Sequence, residues 1–283
     1  MKQRVITGIL FTLAILAFVI PGLYSPFFPV ALNFIVCAFT AFEMSNALRA
    51  KGLKHIRAFI YVGAALSLIP VGLLAVIESP YVVFSAYVLT ALLYSMTSLL
   101  LPQLISASDG TLGEGIAIAC ASLYLSFPLA CANIIVLFMK NGWIIYILGL
   151  FAPWISDVFA YFTGVLFGRH KVVPHISPKK TWEGCIGGVV GCAAVVGFVF
   201  SFFVYPILET RLSFPVFVAL SILAGIALSV LSQFGDWTAS AIKRWTGIKD
   251  FGTLLPGHGG LLDRFDSAFF TLPVAFAFGL FLL

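Results

Sequence analysis

Nine apolar runs, most of them long enough to cross a bilayer, take up most of the chain. They lie near residues 5–24, 27–48, 57–77, 81–105, 115–139, 142–166, 184–206, 214–236 and 266–283. A spanning helix needs about 20 mostly apolar residues. In lipid it must also satisfy its own backbone, which a helix does. The separators carry turn chemistry at Pro21-Gly22, Glu78-Ser79-Pro80, Ser108-Asp109-Gly110 and Asn141-Gly142. The expected fold is therefore all-α: a polytopic integral membrane protein of about nine transmembrane helices. Only 10% of residues are charged, against about 25% in a soluble domain, so the chain lacks the polar surface that water requires. The first run ends in Pro21-Gly22 without a small-x-small cleavage pattern, so it is read as a retained helix rather than a signal peptide.

Basic residues give the orientation. With the N-terminus cytoplasmic, nine spans place fourteen of the sixteen Lys and Arg residues inside and leave only Lys140 and Arg211 outside. The inner set is Lys2, Arg4, Arg49, Lys51, Lys54, Arg57, Arg169, Lys171, Lys179, Lys180, Lys243, Arg244, Lys249 and Arg264. The net charge of +5 is then explained by loops facing anionic headgroups and anionic substrates, and no nucleic-acid partner is expected. Cys37, Cys120, Cys131, Cys185 and Cys192 form no CxxC pair and read as small residues within helices. The chain divides into residues 1–145, about five membrane helices, and residues 146–283, about four helices carrying the chemistry. It shows no internal repeat of the kind many transporters have.

Acidic residues are lopsided. Glu43, Glu78, Asp109 and Glu114 are scattered through the first half, whereas Asp157, Glu183, Asp236, Asp250, Asp263 and Asp266 fall in or beside two basic cytoplasmic loops. Such a mixture on one side of a membrane suits a polyanion with a metal. If the eighth helix continues to about Trp245, Gln233, Asp236, Ser240 and Lys243 recur every three or four residues and share one face. Asp236 could there ligate a metal and Lys243 meet a phosphate. Beyond it, Gly257, Gly259 and Gly260 permit positive φ and a concavity of N–H groups for an anion. Asp263 and Asp266, at i and i+3, are expected on one face of the following helix, and paired carboxylates suit Mg²⁺. His258, inside the glycine run, is the one functional candidate among the histidines; His55, His170 and His175 form no ligand spacing. Between spans six and seven, Ser177-Pro178 reads as a turn, Lys179 and Lys180 as a pair holding phosphates, and Thr181 as the start of span seven. Asp157 reads as a buried acid in the sixth run. There is no GxxxxGK[ST], HExxH or GxSxG motif.

The segment Ser240-x-Ile242-Lys243-Arg244-(x4)-Lys249-Asp250-x-Gly252-(x2)-Leu255-Pro256-x-His258-Gly259-Gly260-Leu261-x-Asp263-Arg264-Phe265-Asp266 resembles the signature of the phosphatidate cytidylyltransferase (CDP-diacylglycerol synthase) family. Ser177-Pro178-Lys179-Lys180-Thr181-x-Glu183-Gly184 and Asp157-(x2)-Ala160-Tyr161 resemble the same family, and the likeness covers about residues 150–283. Trp237 and Ala239 depart from it where many members carry Leu and an acid, which weakens any second-cation contact there; Val158-Phe159 replaces smaller residues. The resemblance implies transfer of CMP from CTP to phosphatidate at the cytoplasmic side of the inner membrane, with Mg²⁺ and room for a second cation. It implies Asp236, Asp263 and Asp266 as metal ligands, acting catalytically with Lys243. Substrate binding would fall to Asp157, Lys179, Lys180, Thr181, Ser240, Arg244, Lys249, Asp250, His258, Gly259, Gly260 and Arg264. A homodimer is compatible with it. A CTP-dependent lipid-alcohol kinase and a non-enzymatic transporter are the competing readings.

Overall fold

The computed structural model describes residues 2–53, 56–105, 111–208 and 210–282, with side chains from Ile6 onward. The expected Ser108-Asp109-Gly110 turn, Lys54, His55 and Glu209 lie outside the described residues, as do the side chains of Lys2 and Arg4. The chain is a multi-pass helical membrane protein: among the described residues seven helices are long and apolar enough to cross a bilayer, and Arg57–Leu73 and Ala268–Leu282 are shorter apolar helical segments. Each apolar run of the sequence thus meets helix, but two fall short of the length of a regular span.

Proline marks the breaks within the third and fourth runs, and the third is one of the two short ones. The third run breaks into α3 (Arg57–Ala65), a 3₁₀ turn (Leu66–Leu68) and α4 (Ile69–Leu73), which begins on Ile69-Pro70. The fourth breaks into α5 (Pro80–Ser98) and α6 (Leu101–Ile105), which carries Pro102 near its start. Proline has no N–H to donate and clashes with the preceding turn, so it is tolerated at the beginning of a helix and opposed within one.

The chain folds as two compact units, residues 1–138 with 242–265 and residues 139–241 with 266–283. In the first, α1 (Lys2–Val19), α2 (Phe27–Ala50), α3 and α5 accompany α7 (Leu112–Phe138), the helix that α2, α3 and α5 all pack against. Some polar side chains in its interior pair with one another. Asn33 donates to Asn133 (2.8 Å), Asn133 donates to the Ser67 carbonyl (2.9 Å), and Tyr87 pairs with Ser126 (2.9 Å). The second unit contains α8 (Gly142–Phe167), α9 (Trp182–Val199, continued by a π turn at Phe200–Val204), most of α10 (Phe214–Thr246) and α12 (Ala268–Leu282). Small residues let these helices close up, as lipid-embedded packing favours: a Cβ at Gly225 would stand 2.7 Å from the Ala193 Cα. Ser156 and Ser229 bond at 2.6 Å, and Thr271 donates to the Gly149 carbonyl at 2.6 Å.

The loop after α8 is a two-stranded antiparallel hairpin, β1 (Lys171–Val173) and β2 (Ser177–Thr181). This small sheet was not expected from the sequence. It also moves the turn: Ser177-Pro178 opens β2, and the chain reverses at Pro174–Ile176.

Candidate active site

Two polar clusters carry the acids and bases singled out by the sequence, one in each unit. In the first unit the glycine-rich loop is organised around Asp263. One carboxylate oxygen of Asp263 accepts the N–H groups of Phe251 (2.8 Å) and Gly260 (2.9 Å), and the other takes the Lys243 ammonium at 2.6 Å. The Lys243 Nζ also lies 5.4 Å from the Phe251 ring centroid, a cation–π distance. The Asp263 side chain is 3% exposed, so this is a desolvated pair, and hydrogen bonds to charged groups of this kind contribute about 1.5–3 kcal/mol each.

The glycines serve different ends. Gly257 (φ 75°) and Gly259 (φ 85°) take the left-handed conformation that closes the tight turn at Leu255–Gly259, where the Leu255 N–H donates to the Gly259 carbonyl at 2.9 Å. Gly260 is needed for room: a Cβ there would stand 2.5 Å from a Glu43 carboxylate oxygen. The expected concavity of N–H groups exists, but much of it is filled by the protein's own acids. Gly260 and Phe251 donate to Asp263, while Leu261 and Leu262 donate to Glu43. His258 sits beside Gly8, and its Nδ1 is buried with no hydrogen-bond partner among the described residues. Arg244, Lys249, Asp250 and Arg264 are exposed. Next to this loop α1 and α2 border a half-open apolar cavity of about 420 Å³, lined among others by Phe11, Ala14, Leu32, Val36, Leu255 and Phe265.

Asp266 does not share a helix with Asp263. The short α11 (Leu262–Phe265) ends before it and α12 begins at Ala268. Asp266 is buried in that break, and its Oδ1 accepts the Ser267 N–H at 2.7 Å. The i, i+3 spacing therefore does not set the two carboxylates on one continuous helix face.

In the second unit, Asp236 forms an ion pair with Lys180 of β2. The helix bearing Asp236 continues to Thr246, so the expected stripe through Gln233, Asp236 and Ser240 lies along uninterrupted helix. Gln233 donates to the Cys185 carbonyl (3.1 Å). Successive strand residues alternate sides, and the two lysines diverge accordingly: Lys180 reaches Asp236 while Lys179 is exposed. They are not the equivalent pair that adjacency suggested. Thr181 is the N-cap of α9, its hydroxyl accepting the Gly184 N–H at 3.2 Å. Glu183 fastens the root of the hairpin. It pairs with His170 Nδ1 (2.6 Å) and accepts the backbone N–H groups of Arg169 (3.1 Å) and His170 (3.3 Å). Asp157 is exposed on α8 rather than buried. Its neighbour Ser156 takes the inward position against Ser229, and one residue along a helix turns the side chain by about 100°. Ala239 is fully buried.

Among the described residues no group of three or more His, Cys, Asp or Glu side chains gathers into a metal cage. Mg²⁺ asks for less, usually one or two carboxylates with substrate phosphates completing its shell; the half-buried Asp236 carboxylate fits that demand, whereas both Asp263 oxygens already accept hydrogen bonds from Lys243, Phe251 and Gly260. Each of these acids is matched by one lysine, so both clusters hold positive charge beside an acid.

Glu43 and Glu183 were not picked out as site residues from the sequence. A signal for Glu43 was present: it is the only charged residue within its apolar run, and a charge inside a span is a functional candidate by default. Its distance in sequence from the other polar residues hid the connection.

The chain matches the Cytidylyltransferase family over residues 2–282. It belongs to that family. Among similar proteins, the phosphatidate cytidylyltransferase of Bacillus subtilis is 32% identical over 276 residues, covering 96% of this chain and 95% of the relative. The Thermotoga maritima protein of the same name is 34% identical over 219 residues, 77% of this chain and 76% of that one. The Staphylococcus haemolyticus protein, also named phosphatidate cytidylyltransferase, is 47% identical over 130 residues, 46% of either chain, so this chain matches under half the length of that relative. As a cytidylyltransferase-family member matched almost end to end, the chain carries the likeness through its first helices as well as through the C-terminal signature.

Proposed function

We propose that this protein transfers CMP from CTP to phosphatidate, forming CDP-diacylglycerol and releasing pyrophosphate at the cytoplasmic face of the cell membrane. The observation that carries the reading is the pair of buried or half-buried lysine–aspartate couples, Lys243–Asp263 and Lys180–Asp236, in a membrane protein of the cytidylyltransferase family. The names of the relatives support phosphatidate as acceptor. The chemistry needs little from a general base, because a phosphate monoester oxygen is already anionic near neutral pH. It attacks the α-phosphorus of CTP, a new P–O bond forms, the bond to the β-phosphate oxygen breaks, and pyrophosphate leaves. Two polyanions must be brought together, so positioning and charge neutralisation dominate. Lys180 and Lys243 can swing from their aspartates to substrate phosphates. Exposed Lys179, Arg244, Lys249 and Arg264 draw the nucleotide in, and His258 Nδ1 offers a polar contact. Mg²⁺ would be held by carboxylates of these clusters, Asp236 and Asp266 in one unit or Asp263 in the other, and when bound would supply charge neutralisation to the phosphates in transfer. The apolar cavity beside the loop suits one acyl chain of the lipid.

Purified protein in mixed micelles of phosphatidate, supplied with Mg²⁺ and labelled CTP, tests this. Label from the α-phosphate is expected in lipid with equimolar pyrophosphate release. With a lipid alcohol supplied in place of phosphatidate, label from the γ-phosphate in lipid would instead identify a lipid-alcohol kinase, and no α-label in lipid with phosphatidate would refute the reading.

A further inference from the structure

Glu43 lies in α2, remote in sequence from every residue of the signature, yet both of its carboxylate oxygens are bound to the glycine-rich segment. Oε1 accepts the Leu261 N–H at 2.8 Å and Oε2 accepts the Leu262 N–H at 2.7 Å. The residue is 3% exposed. Burying an acid is costly unless it is paired and hydrogen-bonded, and a simple structural hydrogen bond could be made by a neutral side chain. The loop is also shaped around this acid on two sides. A Cβ at Gly252 would stand 2.5 Å from Glu43 Oε1, and a Cβ at Gly260 would lie 2.5–2.6 Å from the carboxylate. Immediately beyond the two N–H groups comes Asp263, whose oxygens bind Lys243 and the N–H groups of Phe251 and Gly260. The segment Phe251–Asp263 is thus clamped by two carboxylates, one its own and one delivered from α2.

We propose that Glu43 is a positioning residue for nucleotidyl transfer: it fixes Leu261 and Leu262, and through them sets the place of Asp263 and Lys243. This rests on the reading that the glycine-rich loop serves CTP-dependent transfer, and it gives the N-terminal helices a part in the reaction beyond anchoring. An amide at position 43 keeps the size but presents an N–H₂ to one of the two N–H donors, so one bond is lost and a donor–donor contact replaces it.

The test is Glu43→Gln, with Glu43→Asp and Gly252→Ala, read by steady-state kinetics, thermal unfolding and amide hydrogen exchange. For Glu43→Gln we expect kcat at least tenfold lower, KM for CTP changed less than threefold, and unfolding temperature close to wild type. Amide exchange at 261 and 262 should rise at least tenfold while α2 stays protected. Glu43→Asp should recover part of kcat. Gly252→Ala leaves the acid in place but crowds it, and should reproduce the same kcat loss and local exchange. The double variant should then be no worse than the worse single one, because both act on one contact. A kcat within threefold of wild type in Glu43→Gln, additive losses in the double variant, or activity falling only as folded protein is lost would overturn the assignment. If Glu43→Gln does not fold, Gly252→Ala carries the test with the same thresholds. Failure of the cytidylyl-transfer reading itself would appear in the wild-type protein, as no α-label in lipid, whereas failure of the Glu43 assignment appears only in the variants.

Discussion

Lys179 and Lys180 are neighbours in β2 with different surroundings, and the difference is testable. Lys180 is paired with Asp236, with 26% of its side chain exposed, whereas Lys179 faces solvent. A charge-assisted contact is worth about 1.5–3 kcal/mol when desolvated, and tenfold in rate corresponds to about 1.36 kcal/mol. Partial exposure reduces the first figure, so Lys180→Ala is expected to lower kcat/KM for CTP at least tenfold. Lys179→Ala should stay within about threefold at 0.15 M salt and worsen at low ionic strength, since exposed charges are screened over about 8 Å there. Steady-state kinetics at two salt concentrations decides, and equal losses from the two substitutions would contradict the strand geometry. Arg169 and Lys171 remain to hold the loop's orientation in either variant.

At the scale of elements, α1 and α2 matter beyond their length. Phe11 of α1 meets Phe265 edge-on, with centroids 6.2 Å apart, and the cavity beside them is apolar along both helices. Each buried CH₂ of an acyl chain contributes about 0.8 kcal/mol, so even partial filling of this space should be felt by the lipid. Ala14→Phe places a ring in the cavity. It is expected to raise KM for long-chain phosphatidate at least threefold, to leave KM for CTP unchanged, and to spare a short-chain phosphatidate. A parallel rise in both KM values would show that the cavity does not hold the lipid. The hairpin β1–β2 is the other element whose form matters, because its alternation aims Lys180 at Asp236 and its root is fastened by His170–Glu183.

For the whole molecule the membrane orientation is the principal expectation. The fourteen-to-two distribution of basic residues places the N-terminus in the cytoplasm and the C-terminus outside, provided that both shorter apolar segments cross. Tags at the two termini, probed by protease in sealed right-side-out vesicles, should show a protected N-terminal tag and an accessible C-terminal one. Both tags protected would mean that one of Arg57–Leu73 and Ala268–Leu282 fails to span.

Apolar periodicity and length were enough to read the membrane class, the helical fold and most helix positions from the sequence, because lipid allows a chain few other solutions. The same holds for the Thr181 cap, the continuation of α10 to Thr246 and the turn at Asn141, where local chemistry decides. Local spacing also picked out Lys243, Asp263 and the glycine run, but not what they do to one another. Asp263 and Asp266 are three residues apart yet separated by a helix break, and Ser177-Pro178 lies in a strand rather than a turn. Asp157 faces outward because its neighbour Ser156 takes the inward position. Glu43 belongs to the glycine-rich loop only because folding brings α2 against a segment 218 residues away, where two backbone N–H groups need acceptors. Such a bond is decided by tertiary structure alone: helical and turn propensities act over a few residues, whereas a buried carboxylate is satisfied by whichever donors the packing delivers to it.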